Sequence, residues 1–204
     1  KLKGDIFGIK TVKIDEMIAI GIGGIFLSKS DNIVIANIGT GTSIIEAKNG
    51  KISHIGGTGI GGGTIIGLSK LLLNTTDFDN ILEQAALGDI QKVDLLIEDI
   101  MESDISFLKG KTTASNFGKM LDTAKKEDVA TGIVNMVFQV IGVLAVFAAK
   151  SRDLQTILVT GNGSRNKLGR KILEEIAVMY SIRFDFPADG EYTTAIGAAL
   201  SSAD

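Results

Sequence analysis

Hydrophobic positions along the chain follow two kinds of pattern, which together predict an alternation of strands and helices. Runs rich in β-branched residues at 33–38 and 156–160 predict buried strands, whereas apolar residues spaced by three and four predict helices. The predicted strands are residues 11–14, 33–38, 40–48, 52–55, 156–160 and 182–186, and the predicted helices are residues 16–27, 64–73, 77–86, 93–101, 126–150, 167–180 and 193–201. This order indicates an α/β domain in which helices pack on mixed sheets.

Two predicted connections differ in kind. Asn49-Gly50, between strands 40–48 and 52–55, predicts a tight hairpin turn, because both residues tolerate a positive φ. Residues 103–115 are predicted to be a polar connection without regular structure.

One predicted helix contains a stretch that is apolar on almost every side. Residues 132–149 carry no charge, and the stretch has a borderline length for crossing a bilayer. Asn135 and Gln139 nevertheless lie one helical turn apart within it, and Gly132 and Gly142 interrupt it. A helix that is apolar nearly all round is usually packed inside protein, so we expect a buried core or interface helix.

Composition and charge narrow the classes of partner. The 204 residues are 45% hydrophobic and 22% charged, and the net charge is −3, so nucleic-acid binding has no electrostatic support. The absence of cysteine excludes disulfides, iron–sulfur clusters and thiolate zinc sites, and it fits a reducing cytosol. The chain starts with Lys1 and its opening stretch is not a signal peptide, so we interpret it as a fragment or a processed piece.

Three glycine-containing segments follow predicted strands. Residues 36–43 combine glycines with hydroxyl side chains, residues 56–63 hold six glycines in eight positions, and residues 159–164 join a strand to a helix. Free N–H groups at a helix start suit a nucleotide phosphate, which favours phosphate binding for residues 56–63. This segment is not a Walker loop, because no Gly-Lys-Ser/Thr follows. Taken alone, the first segment is also compatible with an ordinary hairpin and the third with an ordinary strand-to-helix junction.

In this order the three segments resemble the second phosphate loop and the adenosine loop of the actin/Hsp70/sugar-kinase fold. Several motifs resemble one family of that fold, the type II pantothenate kinases. They are GGTGIGGGTIIGL at 56–68, ANIGTGTS at 36–43, TASNFG at 113–118, Asp15-Glu16-Met17 followed by Gly23 and Phe26-Leu27, and the segments 94–100 and 195–198. The resemblance runs collinearly over essentially the whole chain.

The resemblance implies an α/β, actin-like ATPase (ribonuclease H-like) fold with mixed sheets flanked by helices. It also implies that residues 1–204 are the C-terminal two-thirds of a pantothenate kinase, mainly its second actin-like subdomain, with the N-terminal part truncated, since nothing before Lys13 resembles the family's first phosphate loop. The implied activity is phosphorylation of pantothenate with ATP and Mg²⁺, the first step of coenzyme A synthesis. A cytoplasmic homodimer is expected, with a feedback ligand of the coenzyme A or acyl-CoA type and with neither a nucleic-acid nor a membrane partner.

By the same resemblance, individual residues acquire roles. Glu16 is implied to be the general base on the pantothenate hydroxyl, and Thr40 and Ser43 are implied to contact pantothenate. His54 stands where the family has an arginine that binds the pantothenate carboxylate, so an imidazole replaces a permanent cation. The positions implied to bind the nucleotide are Gly39, Gly41, Gly57, Thr58, Gly59, Gly61, Gly62, Gly63, Thr64, Phe117 and Gly118. No metal ligand is implied.

Other interpretations stay open. His54 favours a kinase of the same superfamily that acts on a related alcohol, and the missing first phosphate loop favours a catalytically silent fragment that dimerises or binds coenzyme A. The activator of a 2-hydroxyacyl-CoA dehydratase is disfavoured, because it needs cluster-ligating cysteines and this chain has none. With one side of the nucleotide cleft present, the isolated 204 residues are expected not to phosphorylate pantothenate.

Overall fold

A five-stranded sheet with helices on both faces organises the chain. The computed structural model of the protein describes residues 5–9, 11–101 and 110–201. Within these residues the helices are α1 (Glu16–Ser28), α2 (Gly62–Leu73), α3 (Phe78–Leu87), α4 (Ile97–Ile100), α5 (Lys126–Lys150), α6 (Lys167–Tyr180) and α7 (Thr193–Ser201). The strands are β1 (Asn32–Ile38), β2 (Thr42–Lys48), β3 (Lys51–Thr58), β4 (Leu95–Leu96), β5 (Thr113–Ser115), β6 (Thr156–Thr160) and β7 (Arg183–Asp185). Short 3₁₀ helices occupy Ile90–Lys92, Asn162–Arg165 and Gly190–Tyr192.

The large sheet has the strand order β3-β2-β1-β6-β7, and β4 and β5 form a separate two-stranded sheet. β2 is antiparallel to both β1 and β3, whereas β6 is parallel to both β1 and β7. Asn49 and Gly50 have φ of 52° and 73°, the two positive values that a type I′ turn requires, so the predicted hairpin is confirmed. The mixed α/β architecture predicted from the pattern is confirmed as well.

Different helices bury the two faces of the large sheet. Alternate strand residues pack under α1 in a small apolar cluster that comprises Ile20, Ile33, Ile35, Ile45, Ala47 and Leu158. The intervening residues belong to the main core with α2, α3, α5 and α6, to which the sheet contributes Val34, Ala36, Ile38, Ile44, Ile157 and Val159. The central strands are therefore apolar on both faces, which explains their unbroken hydrophobic runs.

α1 and α7 pack together backbone against backbone. A Cβ on Gly23 would overlap the carbonyl oxygen of Thr193, and one on Gly197 would overlap that of Ala19. Small residues at these positions let the two helices approach this closely. The glycines in two of the family-like segments therefore have a packing role.

The long apolar helix α5 lies in the core. By length and composition it is the helix within the described ranges that could cross a membrane, with a mean hydropathy of 2.2. However, 61% of its most apolar window is buried inside the protein, and the helix packs on the large sheet and on α2, α3 and α6. The prediction of a buried helix is confirmed.

Two stretches differ from the predicted elements. Residues 11–14 form no strand, and Thr11 N–H instead donates to Asp5 Oδ1 at 3.1 Å. In the predicted connection 103–115, residues 113–115 form β5, while residues 102–109 lie outside the described residues.

The predicted helix 93–101 is wrong. The carbonyl oxygen of Val93 accepts hydrogen bonds from Lys119 N–H and Met120 N–H at 3.1 Å, and β4 pairs with β5, so this backbone is bonded to distant segments. The apolar positions Val93, Leu96 and Ile97 are buried as predicted, but by a short strand and a single helical turn. Tertiary hydrogen bonds override helical spacing here.

Candidate active site

The carboxyl ends of four strands meet at one edge of the large sheet. β1, β3, β6 and β7 run in the same direction, because β2 reverses the chain between β1 and β3. Glycine-containing segments follow three of these strands, at residues 39–41, 59–61 and 161–166. Ligands of open α/β sheets bind outside the carboxyl ends of the strands, so this edge is the candidate active site.

The first two of these segments are hydrogen-bonded to each other through their backbones. Gly62 N–H, in the first turn of α2, donates to Gly39 O at 2.9 Å, and Gly63 N–H donates to Thr40 O at the same distance. Two N–H groups for which the sequence predicted a phosphate contact are thus bonded within the protein. Nucleotide binding by Gly62 and Gly63 stays a prediction.

Close backbone contact accounts for several glycines of this edge. A Cβ on Gly61 would lie 2.6 Å from Thr40 O, closer than real Cβ atoms come to a carbonyl oxygen. Glycine is therefore needed at such positions for the loops to pack, whether or not a ligand is present. The glycines of this edge at which an added Cβ would come within 3.0 Å of another atom are Gly41, Gly57, Gly61, Gly63, Gly161 and Gly163.

Gly59 is different. It is exposed, and a Cβ placed on it would meet no protein atom within 4 Å. Thr64 holds the loop beside it, because its Oγ1 donates to Gly59 O and accepts from Gly61 N–H, both at 3.2 Å. Packing does not account for the missing side chain at Gly59, which makes this a position where a ligand can approach the backbone.

Ser43 and His54 lie on the face of the sheet that α1 covers. Ile45 belongs to the apolar cluster under α1, and the alternation of side chains along β2 places Ser43 on the same face. His54 is the ladder partner of Ile45 and is exposed on the edge strand β3, next to a bulge at Ile55. Thr40 is exposed in the loop between β1 and β2.

Glu16 is the first residue of α1 and is exposed. The preceding Asp15 caps the helix, since its Oδ1 accepts from Met17 N–H at 2.9 Å and from Ile18 N–H at 3.1 Å. Within the described residues Glu16 has no hydrogen-bond or ion-pair partner, so its carboxylate is not needed for the cap. The helix start therefore presents an unpaired carboxylate on the same side of the sheet as Ser43 and His54.

The TASNFG segment is organised by a different acid, Asp94. This residue is fully buried, and its carboxylate accepts from Phe117 N–H at 2.8 Å, Thr113 Oγ1 at 3.0 Å and Asn135 Nδ2 at 2.8 Å. Asn116 Nδ2 also lies 3.3 Å from the same carboxylate. Sequence reasoning missed this role, although a lone acid in the apolar run Val93-Asp94-Leu95-Leu96-Ile97 could have indicated it.

Phe117 and Gly118 lie beside the small two-stranded sheet rather than at the edge of the large sheet. The Phe117 ring stands 3.0 Å from where a Cβ on Gly132 would lie, so it packs directly on α5. A Cβ on Gly118 would lie 2.7 Å from the Ser115 side chain. Both positions thus have packing explanations, and nucleotide contact by them stays a prediction.

A cleft of about 750 Å³ opens between α3, α5, α6 and the start of β5. Its floor on α5 carries three polar residues one helical turn apart, Thr131, Asn135 and Gln139. Thr131 Oγ1 donates to Ala85 O at 2.7 Å, and Gln139 Oε1 lies 3.3 Å from Asn116 Nδ2. The polar floor is therefore bonded into the surrounding walls.

The start of α5 is joined to this region by Asp128. Its carboxylate accepts from Asp89 N–H and Lys125 N–H, both at 2.8 Å, and Lys92 Nζ lies 3.6 Å away. Burial by itself would raise the pKa of Asp128, but the two N–H donors and the Lys92 charge together hold that pKa below its ordinary value. The ionised carboxylate ties the 3₁₀ turn at residues 90–92 to the helix.

Among residues 5–9, 11–101 and 110–201, no group of three or more His, Cys, Asp or Glu side chains could hold a metal ion. The carboxylates described above either cap helices, organise the TASNFG segment or stand alone. The described part of the chain thus contains no preformed metal cage.

Comparison with solved structures identifies the fold. The activator of the 2-hydroxyisocaproyl-CoA dehydratase from Clostridium difficile, solved with bound ADPNP, matches with a TM-score of 0.53 and 18% identity. The match covers 92% of this chain and 65% of the activator's chain. At that identity the likeness concerns the fold alone, and it confirms the predicted actin-like ATPase fold.

Sequence comparisons define the family. The family described as Fumble matches residues 27–201. A type II pantothenate kinase of Bacillus cereus is 31% identical over 96% of this chain and 74% of its own length, and that of Bacillus anthracis is 32% identical over 94% and 72%. That of Oceanobacillus iheyensis is 34% identical over 86% and 66%. The chain belongs to the family of type II pantothenate kinases, as its motifs predicted.

Proposed function

We propose that this protein is an ATP-dependent kinase that phosphorylates pantothenate to 4′-phosphopantothenate, the first step of coenzyme A synthesis. Membership of the type II pantothenate kinase family supports the proposal. The structural observation that carries it is that two glycine-containing loops are hydrogen-bonded to each other at one edge of the sheet. The unpaired carboxylate of Glu16 lies on α1, the helix that covers the adjoining face.

In the proposed reaction, Glu16 takes the proton of the substrate's primary hydroxyl. The hydroxyl oxygen attacks the γ-phosphorus of ATP, and the bond from that phosphorus to the β–γ bridging oxygen breaks. ADP leaves with the electron pair of the broken bond. An exposed Glu16 is accessible to an alcohol that enters from solvent.

ATP is proposed to lie along the carboxyl edge. Its phosphates are assigned to the segments that contain Thr40 and Gly59, and its adenosine to the segment 161–166 that follows β6. Mg²⁺ accompanies ATP in phosphoryl transfer and neutralises charge on the phosphates. Because the described residues form no cage of protein ligands, we assign the ion no protein ligand and no step.

Substrate recognition is assigned to Thr40, Ser43 and His54. One observation favours a second candidate, a kinase for a related alcohol: an exposed histidine occupies the position implied for a carboxylate-binding arginine. A neutral imidazole binds a carboxylate more weakly than a guanidinium does. His54→Arg should therefore strengthen pantothenate binding if pantothenate is the substrate.

We also propose a cytoplasmic homodimer with coenzyme A or an acyl-CoA as feedback ligand. The support for dimerisation is the apolar surface near the end of α5, where Phe147 is 55% exposed and stacks edge-on against Tyr180 at 6.1 Å between ring centroids. Leu144, one turn earlier, is 41% exposed. Light scattering should show a dimer, and a monomer across micromolar concentrations would contradict it.

The decisive experiment is an ADP-release assay of the protein at its natural full length, with pantothenate and a panel of its analogues. We expect ATP consumption that depends on pantothenate and yields 4′-phosphopantothenate by mass spectrometry. Turnover with an analogue that lacks the carboxylate, and none with pantothenate, would favour the related-alcohol kinase. The same assay on residues 1–204 alone tests the expectation that they are inactive without the remainder of the family's nucleotide cleft.

A further inference from the structure

A polar row crosses the α1 face of the large sheet at its carboxyl edge. Asn37 of β1 is the ladder partner of Ser43 in β2 and of Thr160 in β6. The next row inward is entirely apolar and consists of Ile35, Ile45 and Leu158. The face that α1 covers thus changes from apolar to polar within two residues of strand, at the edge where the glycine loops lie.

The side-chain amide at the centre of this row is held in one orientation. Thr160 is fully buried, and its Oγ1 donates to Asn37 Oδ1 at 2.9 Å. A buried hydroxyl needs an acceptor, so this bond occupies the amide oxygen. Asn37 Nδ2 then points away from Thr160, and within the described part of the chain it has no acceptor.

The bond from Thr160 explains the amide oxygen of Asn37, but neither packing nor strand formation accounts for its Nδ2 donor. Asparagine is depleted in strands, and the neighbouring rows of this sheet are filled with apolar side chains. Asn37 is partly exposed near the carboxyl end of β1, so a ligand bound at this edge of the sheet can reach the residue. A polar group that breaks a local rule and has no partner of its own is expected at a functional site.

We propose that Asn37 Nδ2 donates a hydrogen bond to an oxygen of the ligand that reacts at this edge, and that Thr160 is the positioning residue that orients the amide. The inference rests on the proposed kinase function and adds to it a residue to which sequence reasoning gave no role. The acceptor belongs either to the alcohol substrate, beside Ser43, or to the phosphoryl group that is transferred, beside the loop 39–41. In both cases the chemistry is an amide donor to an anionic or carbonyl oxygen.

The test compares substitutions of Asn37 and of Thr160 in the full-length protein. Asn37→Asp keeps an acceptor for Thr160 but replaces the Nδ2 donor by an oxygen, whereas Asn37→Ala removes both. Thr160→Val removes the orienting bond, and Thr160→Ser retains it. Asn32→Ala, at the opposite end of the same strand, is the control. KM values for pantothenate and ATP are measured, together with calorimetric binding of pantothenate and of a non-hydrolysable ATP analogue.

We expect Asn37→Ala to weaken binding or KM for one of the two ligands by about 5- to 100-fold, the cost of a lost hydrogen bond that leaves a partner unsatisfied. Asn37→Asp should weaken binding of that ligand further, because its negatively charged carboxylate would face the ligand oxygens. Thr160→Val should shift the same ligand in the same direction, and Thr160→Ser should be close to wild type. A shift for pantothenate assigns the acceptor to the alcohol, and a shift for the ATP analogue assigns it to the phosphoryl group.

The inference is overturned if Asn37→Ala and Asn37→Asp bind both ligands within about twofold of wild type while thermal unfolding is unchanged. It is also overturned if Thr160→Ser weakens ligand binding as much as Thr160→Val does, because loss of the Thr160 hydroxyl would then not explain the weaker binding. Absence of pantothenate-dependent ADP release from the wild type would refute the proposed function, and the binding of the ATP analogue would still test Asn37.

Discussion

The glycine loops at the sheet edge and the TASNFG segment are both family motifs, yet the protein uses them in opposite ways. At the edge, two glycine-rich backbones contact each other and leave Gly59 facing open space. In the TASNFG segment, side-chain and backbone donors converge on a carboxylate that is shielded from solvent, Asp94. A motif that is diagnostic of a family can therefore hold the fold together, whether or not it also touches a ligand. Substitutions in both regions test this contrast.

The largest effect is expected from the acid on the active-site side. Glu16→Gln should lower turnover by roughly two to four orders of magnitude, because it removes the proposed general base, while ATP binding and stability stay nearly intact. Steady-state ADP release in the full-length protein measures this. Glu83→Gln, an exposed residue of α3, is the matched control. Near-normal turnover of Glu16→Gln would remove Glu16 from the mechanism.

The acid of the TASNFG segment should behave in the opposite way. Asp94→Ala leaves several buried donors without an acceptor, at about 1–3 kcal/mol each, so the free energy of unfolding should fall by about 3 kcal/mol or more. Urea denaturation measures the loss, and Asp122→Ala, an exposed acid, should show none. A stable Asp94→Ala variant with impaired ATP binding would instead place Asp94 in the nucleotide site.

Two valine substitutions separate packing from ligand contact within one loop. Gly61→Val would force a Cβ against Thr40 O and should destabilise the protein, whereas the Cβ of Gly59→Val meets no protein atom within 4 Å and should not. If nucleotide phosphates approach this loop, Gly59→Val should weaken ATP binding by about tenfold through steric exclusion. Thermal unfolding and calorimetry distinguish the two effects. Unchanged ATP affinity in Gly59→Val would show that the loop is only a turn.

The smallest effect concerns the pH dependence of the connection to α5. Because the pKa of Asp128 is lowered in the folded protein, its stabilisation is present above the unfolded pKa near 3.8 and is lost as the pH falls through the folded value. Asp128→Asn should therefore cost about 1 kcal/mol at neutral pH, as for a weakened helix cap, and little once the pH lies below the lowered pKa of the folded state. Denaturation curves at several pH values measure this, and a cost independent of pH would contradict it.

Much of the fold followed from local pattern. The strands near 33–38 and 156–160, the helices near 126–150 and 167–180 and the Asn49-Gly50 turn lie where the sequence predicts them. In each case the signal is the burial of one or both faces, or a φ preference, and both are properties of neighbouring residues. The family motifs likewise placed Glu16, Ser43 and His54 in order along the chain, without saying how they are arranged in space.

Only the tertiary structure decided which distant residues are joined by hydrogen bonds. Asn135, which bonds Asp94, lies 41 residues further along the chain, and Thr160, which orients Asn37, lies 123 residues further. Periodicity contains no information about such partners, so residues 93–101 were expected to be a helix and Asn37 received no role. The spacing of apolar residues along the chain shows which face of each segment is buried, and the glycines show where segments pack closely. Which donor meets which acceptor depends on the sheet order β3-β2-β1-β6-β7, because that order brings the ends of β1 and β6 side by side.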